Sequence, residues 1–241
     1  MELKTAALIA TVIVIIGGVV MISPLFFSQD SGDRYVMLCF SVYQTGSVAE
    51  WCQNLSSVLG NYNLPATVFV DGKTAQDQPQ TVACFNNRVD VGSRTYSNAD
   101  LTNISDYTAK LREVQDGKFS VDYAGDLNSK VFQAPNGATD QDIYSLLNRT
   151  GILADFSYSD HYNVYQNGQF VRYEAYVYDG QSHGPDFFLA IPETVQPIII
   201  QFSSTCTVSD IESFLSVLVS GDFDFVNASQ LTGLVLTDRE A

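Results

Sequence analysis

Segments rich in β-forming residues alternate with segments of helical periodicity along most of this sequence, and this alternation restricts the possible folds more than any other feature. YVMLCFSV (35–42) precedes the helical SVAEWCQNLSSVLGNY (47–62), and the β-rich LPATVFVDG (64–72) follows. The units are about 25 to 35 residues apart, a spacing typical of parallel β/α units. We therefore expect an α/β barrel or a large open sheet, with its functional residues at the carboxyl ends of the strands.

The N-terminal residues 5–27 form an uncharged, apolar run. Because a helix needs about 20 such residues to cross a bilayer, the run predicts one transmembrane helix. No small-residue cleavage site follows it, which favours a retained anchor over a cleaved signal peptide, and Lys4 before it predicts a cytoplasmic N-terminus. The predicted divisions are an anchor (1–27), a linker (28–34), a folded domain outside the cytoplasm (35–236) and a tail (237–241).

The charge balance excludes one class of partner. The chain has 12 Lys and Arg residues against 27 Asp and Glu residues, a formal net charge of −15. A surface of this sign repels a phosphate backbone, so we expect no nucleic-acid partner.

Two further features agree with a location outside the cytoplasm. Asn-x-Ser/Thr sequences are candidate glycosylation sites, and they occur at Asn54, Asn103, Asn148 and Asn227. Four cysteines can pair as disulfides in any of three ways, with buried free thiols as the alternative. They are Cys39, Cys52, Cys84 and Cys206.

Several segments, taken in order, resemble the polysaccharide deacetylases of the NodB type. CFSVYQTG (39–46) lies where that family has Thr-Phe-Asp-Asp-Gly, and PATVFV (65–70) matches Ala-Thr-Phe-Phe-Val. GSRTYSNADLT (92–102) follows Gly-Asn-His-Thr-x-x-His-x-x-Leu, FQAPNG (132–137) follows Phe-Arg-Pro-Pro-x-Gly, and IIIQF (198–202) follows a strand with Leu-x-His. The resemblance implies a distorted (β/α) barrel in which an Asp-His-His set holds a divalent metal, often zinc.

The residues that carry the family's chemistry are replaced at every matching position. By this resemblance the catalytic base becomes Ser41, and the three metal ligands become Val42, Arg94 and Asn98. The arginine that orients the base becomes Gln133, and the acid histidine becomes Gln201 or Phe202. A valine has no donor, and a guanidinium repels a dication, so we expect no metal, no cofactor and no catalytic residue.

Binding is the function that these replacements leave open. Aromatic faces stack on sugar rings, and an arginine can hold an anionic group. The candidate ligand-binding residues are Tyr43, Arg94, Tyr96, Asn98, Gln133, Asp155 and Tyr158. The sequence therefore predicts an inactive deacetylase-like protein that serves as a structural or glycan-binding module at the cell envelope, with a glycan or a surface protein as its partner.

Two alternatives remain at this stage. The first is an active hydrolase of N-acetylated glycans whose metal site has moved to the two histidines, His161 and His183, with Asp155 or Asp186. The second is a scaffold subunit of a membrane or surface-layer complex.

Among the possible disulfide bonds, a bridge between Cys39 and Cys206 would join the first and last strands of the barrel.

Overall fold

The computed structural model describes residues 20–22, 34–43, 46, 48–157, 163–167, 170–174, 177–192, 195 and 197–237. The predicted anchor lies outside these ranges except for residues 20–22, which form a short strand and not part of the predicted helix. Most of the linker and of the tail also lie outside the ranges. Within the ranges, no helix combines the length and the hydropathy that a membrane span requires.

The described residues form eleven strands and eight α-helices in one α/β unit. The strands are β1 (Val20–Ile22), β2 (Tyr35–Val42), β3 (Ala66–Val70), β4 (Val89–Ser93), β5 (Val131–Phe132), β6 (Ala154–Asp155), β7 (Asn163–Asn167), β8 (Phe170–Glu174), β9 (Val177–Asp179), β10 (Ile198–Ser203) and β11 (Asp224–Val226). The helices are α1 (Val48–Asn61), α2 (Gly72–Asp77), α3 (Gln80–Ala83), α4 (Tyr107–Gly125), α5 (Gln141–Arg149), α6 (Pro185–Leu189), α7 (Val208–Leu218) and α8 (Ala228–Thr237).

The strands make one mostly parallel sheet. The order is β1-β7-β8-β6-β5-β4-β3-β2-β10-β9, and β11 pairs with the start of β2. The pairs β2–β3, β3–β4, β4–β5, β5–β6 and β2–β10 are all parallel, as the alternation of segments predicts. The antiparallel β7–β8 pair confirms the hairpin that Asn-Gly indicates at residues 167–168.

The sheet is curled, and both of its faces are buried. Side chains alternate along β2: Leu38 and Phe40 belong to a core that also includes buried residues of α1 and α7, while Met37 and Cys39 belong to a second core. The second core brings together residues of β2, β3, β5, β6, β10 and β11, which can meet only on the concave side of a curled sheet. The fold is thus a curled parallel half-barrel.

Helix starts follow the predicted capping chemistry but not always the predicted residue. We expected α4 to be capped by Asn103 or Ser105, but the carboxylate of Asp106 accepts hydrogen bonds from the first turn. Likewise Asp140, rather than Thr139, caps α5. A carboxylate directly before the helix lies closer to the unpaired N–H groups than the earlier residues do. For α7 the sequence predicts a cap at Thr207 or Ser209, and the side chain of Thr207 is the cap in the structure.

The possible bridge between Cys39 and Cys206 does not fit the structure. Cys39 belongs to the inner core, whereas Cys206 belongs to the outer core with α1 and α7, so their side chains lie on opposite faces of the sheet. The indole Nε1 of Trp51, on α1, donates a 2.7 Å hydrogen bond to the carbonyl oxygen of Cys206, which holds that residue on the outer side.

Three of the four candidate glycosylation asparagines are exposed, namely Asn54, Asn103 and Asn148. Asn227 is buried, and its side chain accepts a hydrogen bond from Gln230 N and donates one to Arg88 O. Its amide nitrogen is therefore engaged in the folded chain.

Asp90, at the start of β4, gives the stability of the fold a pH dependence. Burial raises the pKa of Asp90, although the backbone N–H of Ser229 at the start of α8 donates a 2.6 Å hydrogen bond to its carboxylate. A carboxyl group with a raised pKa in the folded state stabilises the fold below the unfolded pKa, and this contribution is lost as the pH rises through the folded pKa.

Asp90→Asn is therefore expected to raise the Tm at pH 7, because the amide keeps a hydrogen-bond acceptor and carries no charge. At about pH 3 the carboxyl group of Asp90 is protonated in both the folded and the unfolded chain. The difference in Tm between Asp90→Asn and the unsubstituted chain should therefore vanish. Thermal melts at the two pH values measure it, with the exposed Asp222→Asn as the matched control. A Tm below that of the unsubstituted chain at pH 7 would show that the ionised form is the stabilising one.

Candidate functional site

Three polar side chains meet at the carboxyl ends of β2, β5 and β10. Ser41 Oγ donates a hydrogen bond to Gln133 Oε1 at 2.8 Å, and Gln201 Nε2 donates one to Ser41 Oγ at 2.8 Å. Gln133 Nε2 donates to Gln201 Oε1 at 3.4 Å, which closes the cycle. We call these three residues the hydroxyl–amide ring.

The hydroxyl–amide ring is uncharged, and each of its members both donates and accepts. Neither a serine hydroxyl nor a primary amide takes up a proton near neutral pH, so the ring contains no general base. Ser41 and Gln133 are buried, while Gln201 is half-buried. A primary amide has two N–H donors, and the ring uses only one of those of Gln201. Gln201 is thus the member through which the ring can reach a ligand.

The structure also resolves which residue takes the position of the family's acid histidine. Gln201 points to Ser41, on the inner side of the sheet. Phe202 packs in the outer core, where its ring stacks on Phe40 at 5.7 Å between centroids. The position therefore belongs to Gln201, not to Phe202.

Val42 is part of the outer core. Its side chain is fully buried there, and it pairs with Val70 of β3. Its carbonyl oxygen accepts a 3.1 Å hydrogen bond from Asp71 N, which fixes the end of β2 against the end of β3. The residue at the aspartate-ligand position thus contributes packing and no metal donor.

The loop of residues 94–98, which follows β4, is held mainly by main-chain hydrogen bonds. Arg94 N donates to Val70 O at 3.0 Å, and Gly72 N and Lys73 N of α2 donate to the loop's carbonyl oxygens at 3.2 and 2.8 Å. From α4, Glu113 accepts from Tyr96 N through its carbonyl oxygen, and from Ser97 N and Oγ through its carboxylate at 2.9 Å. The loop therefore has a defined conformation that does not depend on a bound metal.

Nothing in the sequence marks Glu113 as a residue that holds the 94–98 loop. It lies within the long helix α4, where a glutamate is ordinarily a solvent-facing residue. Only the approach of α4 to the 94–98 loop shows its role.

The side chains at the two histidine positions do not converge. Arg94 is buried, and its Cζ lies 5.7 Å from the centroid of the Tyr43 ring, within the range of a cation–π contact. Asn98 is exposed and has a left-handed backbone with φ 60°. Tyr96 is half-buried, and its hydroxyl donates a 2.6 Å hydrogen bond to Gln76 Oε1. Of the predicted ligand-binding residues, the structure thus groups Tyr43 with Arg94 and leaves Asn98 in solvent.

Asp155 has a structural position. It is fully buried at the end of β6, and its Oδ1 accepts a 3.0 Å hydrogen bond from Ser157 N. Ser157 Oγ in turn donates to Asp155 Oδ1 and accepts a 2.7 Å hydrogen bond from Ala134 N, beside Gln133. Through Ser157, Asp155 thus supports the turn after β5. Tyr158 lies outside the described residues.

The displaced metal site finds no support in the described part of the chain. His183 Nδ1 lies 3.2 Å from the carbonyl oxygen of Asp179, and its ring lies 4.4 Å from that of Phe187 on α6. His161 lies outside the described residues. Among the residues that are described, no group of three or more His, Cys, Asp or Glu side chains can hold a metal ion.

The divalent metal that the resemblance implies does not fit the residues present. Val42 has no donor, and the guanidinium of Arg94 would place a positive charge beside a dication. The hydroxyl–amide ring offers only neutral oxygen and nitrogen atoms, which bind zinc weakly. What the site can do chemically is donate and accept hydrogen bonds.

Comparisons with known proteins agree with this fold. The model of the polysaccharide deacetylase family matches residues 28–154, more than half of the 241 residues. A search of the curated proteins found no match.

Among solved structures, a putative polysaccharide deacetylase from Mycobacterium smegmatis is 15% identical with a TM-score of 0.68, covering 88% of this chain and 93% of that one. A family 4 carbohydrate esterase from Streptomyces lividans in complex with acetate is 19% identical with a TM-score of 0.57, covering 78% and 88%. A CE4 family pseudoenzyme from Bacillus anthracis is 14% identical with a TM-score of 0.60, covering 83% and 66%. These structures show the shared fold, and the family match in sequence shows that this chain belongs to the polysaccharide deacetylase family.

Proposed function

We propose that this chain is a membrane-anchored, catalytically inactive member of the polysaccharide deacetylase family that binds a neutral N-acetylated glycan at the cell envelope. The observation that carries the proposal is the closed hydroxyl–amide ring of Ser41, Gln133 and Gln201. It occupies the positions at which the resemblance implies a base, its orienting arginine and an acid.

The loss of hydrolysis follows from what the ring lacks. Amide hydrolysis needs a base to activate water and an acid to protonate the leaving nitrogen, and such proton transfers contribute about 10²- to 10⁴-fold each. Ser41 Oγ donates a hydrogen bond to an amide oxygen, and an amide oxygen is too weak a base to remove the hydroxyl proton at neutral pH. The family's metal, which would polarise the acetyl carbonyl, has no suitable ligands at Val42 and Arg94.

Glycan binding follows from what the site retains. Sugars present hydroxyl and acetamido groups, and the half-buried Gln201 offers a free amide donor beside a fixed ring. Tyr43, held by its contact with Arg94, adds an aromatic surface on which a sugar can stack. A net charge of −15 disfavours polyanionic glycans, so a neutral chain is the matching ligand.

The envelope location rests on the uncharged run at residues 5–27 and on the lysine before it. A retained anchor would keep the binding domain next to the membrane. The short linker of residues 28–34 would then limit its ligands to glycans close to the membrane surface.

Full-length protein in mild detergent tests the proposal with an N-acetylglucosamine tetramer as the probe. Calorimetry should show binding without acetate release, with or without added zinc. Gln201→Ala should weaken binding about 5- to 10-fold, which corresponds to the loss of one buried hydrogen bond. The matched control is Gln53→Ala on the exposed face of α1, which should bind as the unsubstituted chain does.

The other results each favour a different function. Acetate release that a chelator abolishes would contradict the proposal and identify an active deacetylase. Absence of binding together with co-purification of one fixed membrane partner would identify a scaffold subunit instead.

A further inference from the structure

Two cysteines lie side by side in the outer core, away from the hydroxyl–amide ring. Cys52 is on α1, and Cys84 directly follows α3. Cys84 packs against the part of the outer core that contains Cys52, and each thiol shifts the pKa of the other, as neighbouring side chains do. Ser56, one turn after Cys52 on α1, donates a 2.8 Å hydrogen bond from its Oγ to the carbonyl oxygen of Cys84. The backbone of Cys84 is therefore fixed against the helix that carries Cys52.

The other two cysteines have no such neighbour. Cys39 is fully buried in the inner core, and Cys206 lies in the outer core beside α7. Burial raises the pKa of both thiols, which keeps them protonated and unreactive. Only one of the possible pairings of the four cysteines thus brings two thiols together.

We propose that Cys52 and Cys84 form a disulfide bond that joins α1 to the end of α3. Cys84 is half-buried and Cys52 is fully buried, so an oxidant meets Cys84 first. This inference does not depend on glycan binding, because neither cysteine belongs to the candidate site.

The direction of the reaction follows from the hydrogen bond between the thiols. The hydrogen bond from Cys52 lowers the pKa of Cys84, while donating that bond and burial raise the pKa of Cys52. Cys84 is therefore the thiolate that attacks.

The oxidant is a disulfide, either a small molecule or a protein. The Cys84 thiolate attacks one sulfur of this disulfide and expels the other as a thiolate, which leaves a mixed disulfide on Cys84. The thiol of Cys52 then loses its proton and attacks Cys84 Sγ, which expels the second thiolate. Two protein thiols are oxidised, the oxidant is reduced to two thiols, and the two protons pass to the released thiolates.

The bond would close a loop that contains β3 and α2. These elements hold the 94–98 loop through Val70 O, Gly72 N and Lys73 N. The cross-link restricts the unfolded chain, so we expect it to raise the Tm by roughly 4–16 °C.

The test oxidises full-length protein with glutathione disulfide, unfolds it in denaturant to expose buried thiols, blocks the remaining thiols by alkylation and maps the peptides by mass spectrometry. We expect alkylation at Cys39 and Cys206 only, a peptide that links Cys52 to Cys84, and the rise in Tm. Cys84→Ser should abolish both the linked peptide and the Tm shift, whereas Cys206→Ser should keep both. Peptide mapping of the unsubstituted chain does not depend on any variant that folds poorly. A linked peptide containing Cys39 or Cys206, or alkylation of all four cysteines after oxidation, would overturn the proposal.

Discussion

Val42→Asp is expected to lower the free energy of unfolding by about 3–5 kcal/mol rather than to restore a metal ligand. The Val42 side chain is fully buried in an apolar core, where a carboxylate has no partner to offset its lost hydration. For a chain of this length such a loss corresponds to a Tm lower by roughly 6–20 °C. Thermal melts of the full-length protein with and without zinc measure it, and we expect zinc to have no effect.

Val42→Thr is the matched control, because it keeps the shape of the side chain and adds only a neutral hydroxyl. It should cost about 1–3 kcal/mol, clearly less than aspartate in the same position. If Val42→Asp melted like the unsubstituted chain and bound one equivalent of zinc, position 42 would still face the site, and the assignment of Val42 to the outer core would be wrong.

Gly117→Ala is expected to lower the free energy of unfolding by about 3 kcal/mol, or roughly 6–12 °C in Tm. Gly117 is buried on α4, and a Cβ there would lie 2.5 Å from Arg94 O and 3.0 Å from Tyr96 N. Both atoms are main chain, and hydrogen bonds from Arg94 N to β3 and from Tyr96 N to α4 hold their residues in place, so the 94–98 loop has to move as a whole. The movement should also weaken binding of the N-acetylglucosamine tetramer.

Gly60→Ala on α1 is the matched control, because it is the same substitution at a helical glycine that has no main chain close to it. Nothing lies within 4 Å of a Cβ at position 60, so alanine should raise stability by about 0.5–1 kcal/mol through its helix propensity. If Gly117→Ala and Gly60→Ala changed the free energy of unfolding equally, α4 would not be in close contact with the 94–98 loop.

The sequence predicts the scaffold well because its signals are local. The alternation of β-rich and helical segments specifies the parallel β/α order, and the period of two along β2 puts Ser41 on the same face as Met37 and Cys39. The hairpin at Asn167 and the Thr207 cap are likewise set by neighbouring residues. Shifted caps, as at Asp106, arise where several candidates compete within a few residues.

The site is less predictable because its contacts join distant parts of the chain. The resemblance indicates Ser41, Gln133 and Gln201 separately, but only the curl of the sheet brings all three into one ring. The failed pairing of Cys39 with Cys206 has the same cause, since adjacent strands do not by themselves specify which face a side chain takes. No local pattern marks Glu113 or the contact of Cys52 with Cys84.

The way in which the 94–98 loop is fastened has a consequence for redesign. The left-handed backbone at Asn98 favours asparagine or glycine there, but the shape of the loop is otherwise set by peptide groups and by Glu113, so its other outward side chains are not constrained by folding. A library randomised at such positions should yield mostly well-folded variants that differ in what they recognise. The proposed glycan specificity should therefore be changeable by surface substitutions alone, with the supporting framework unaltered.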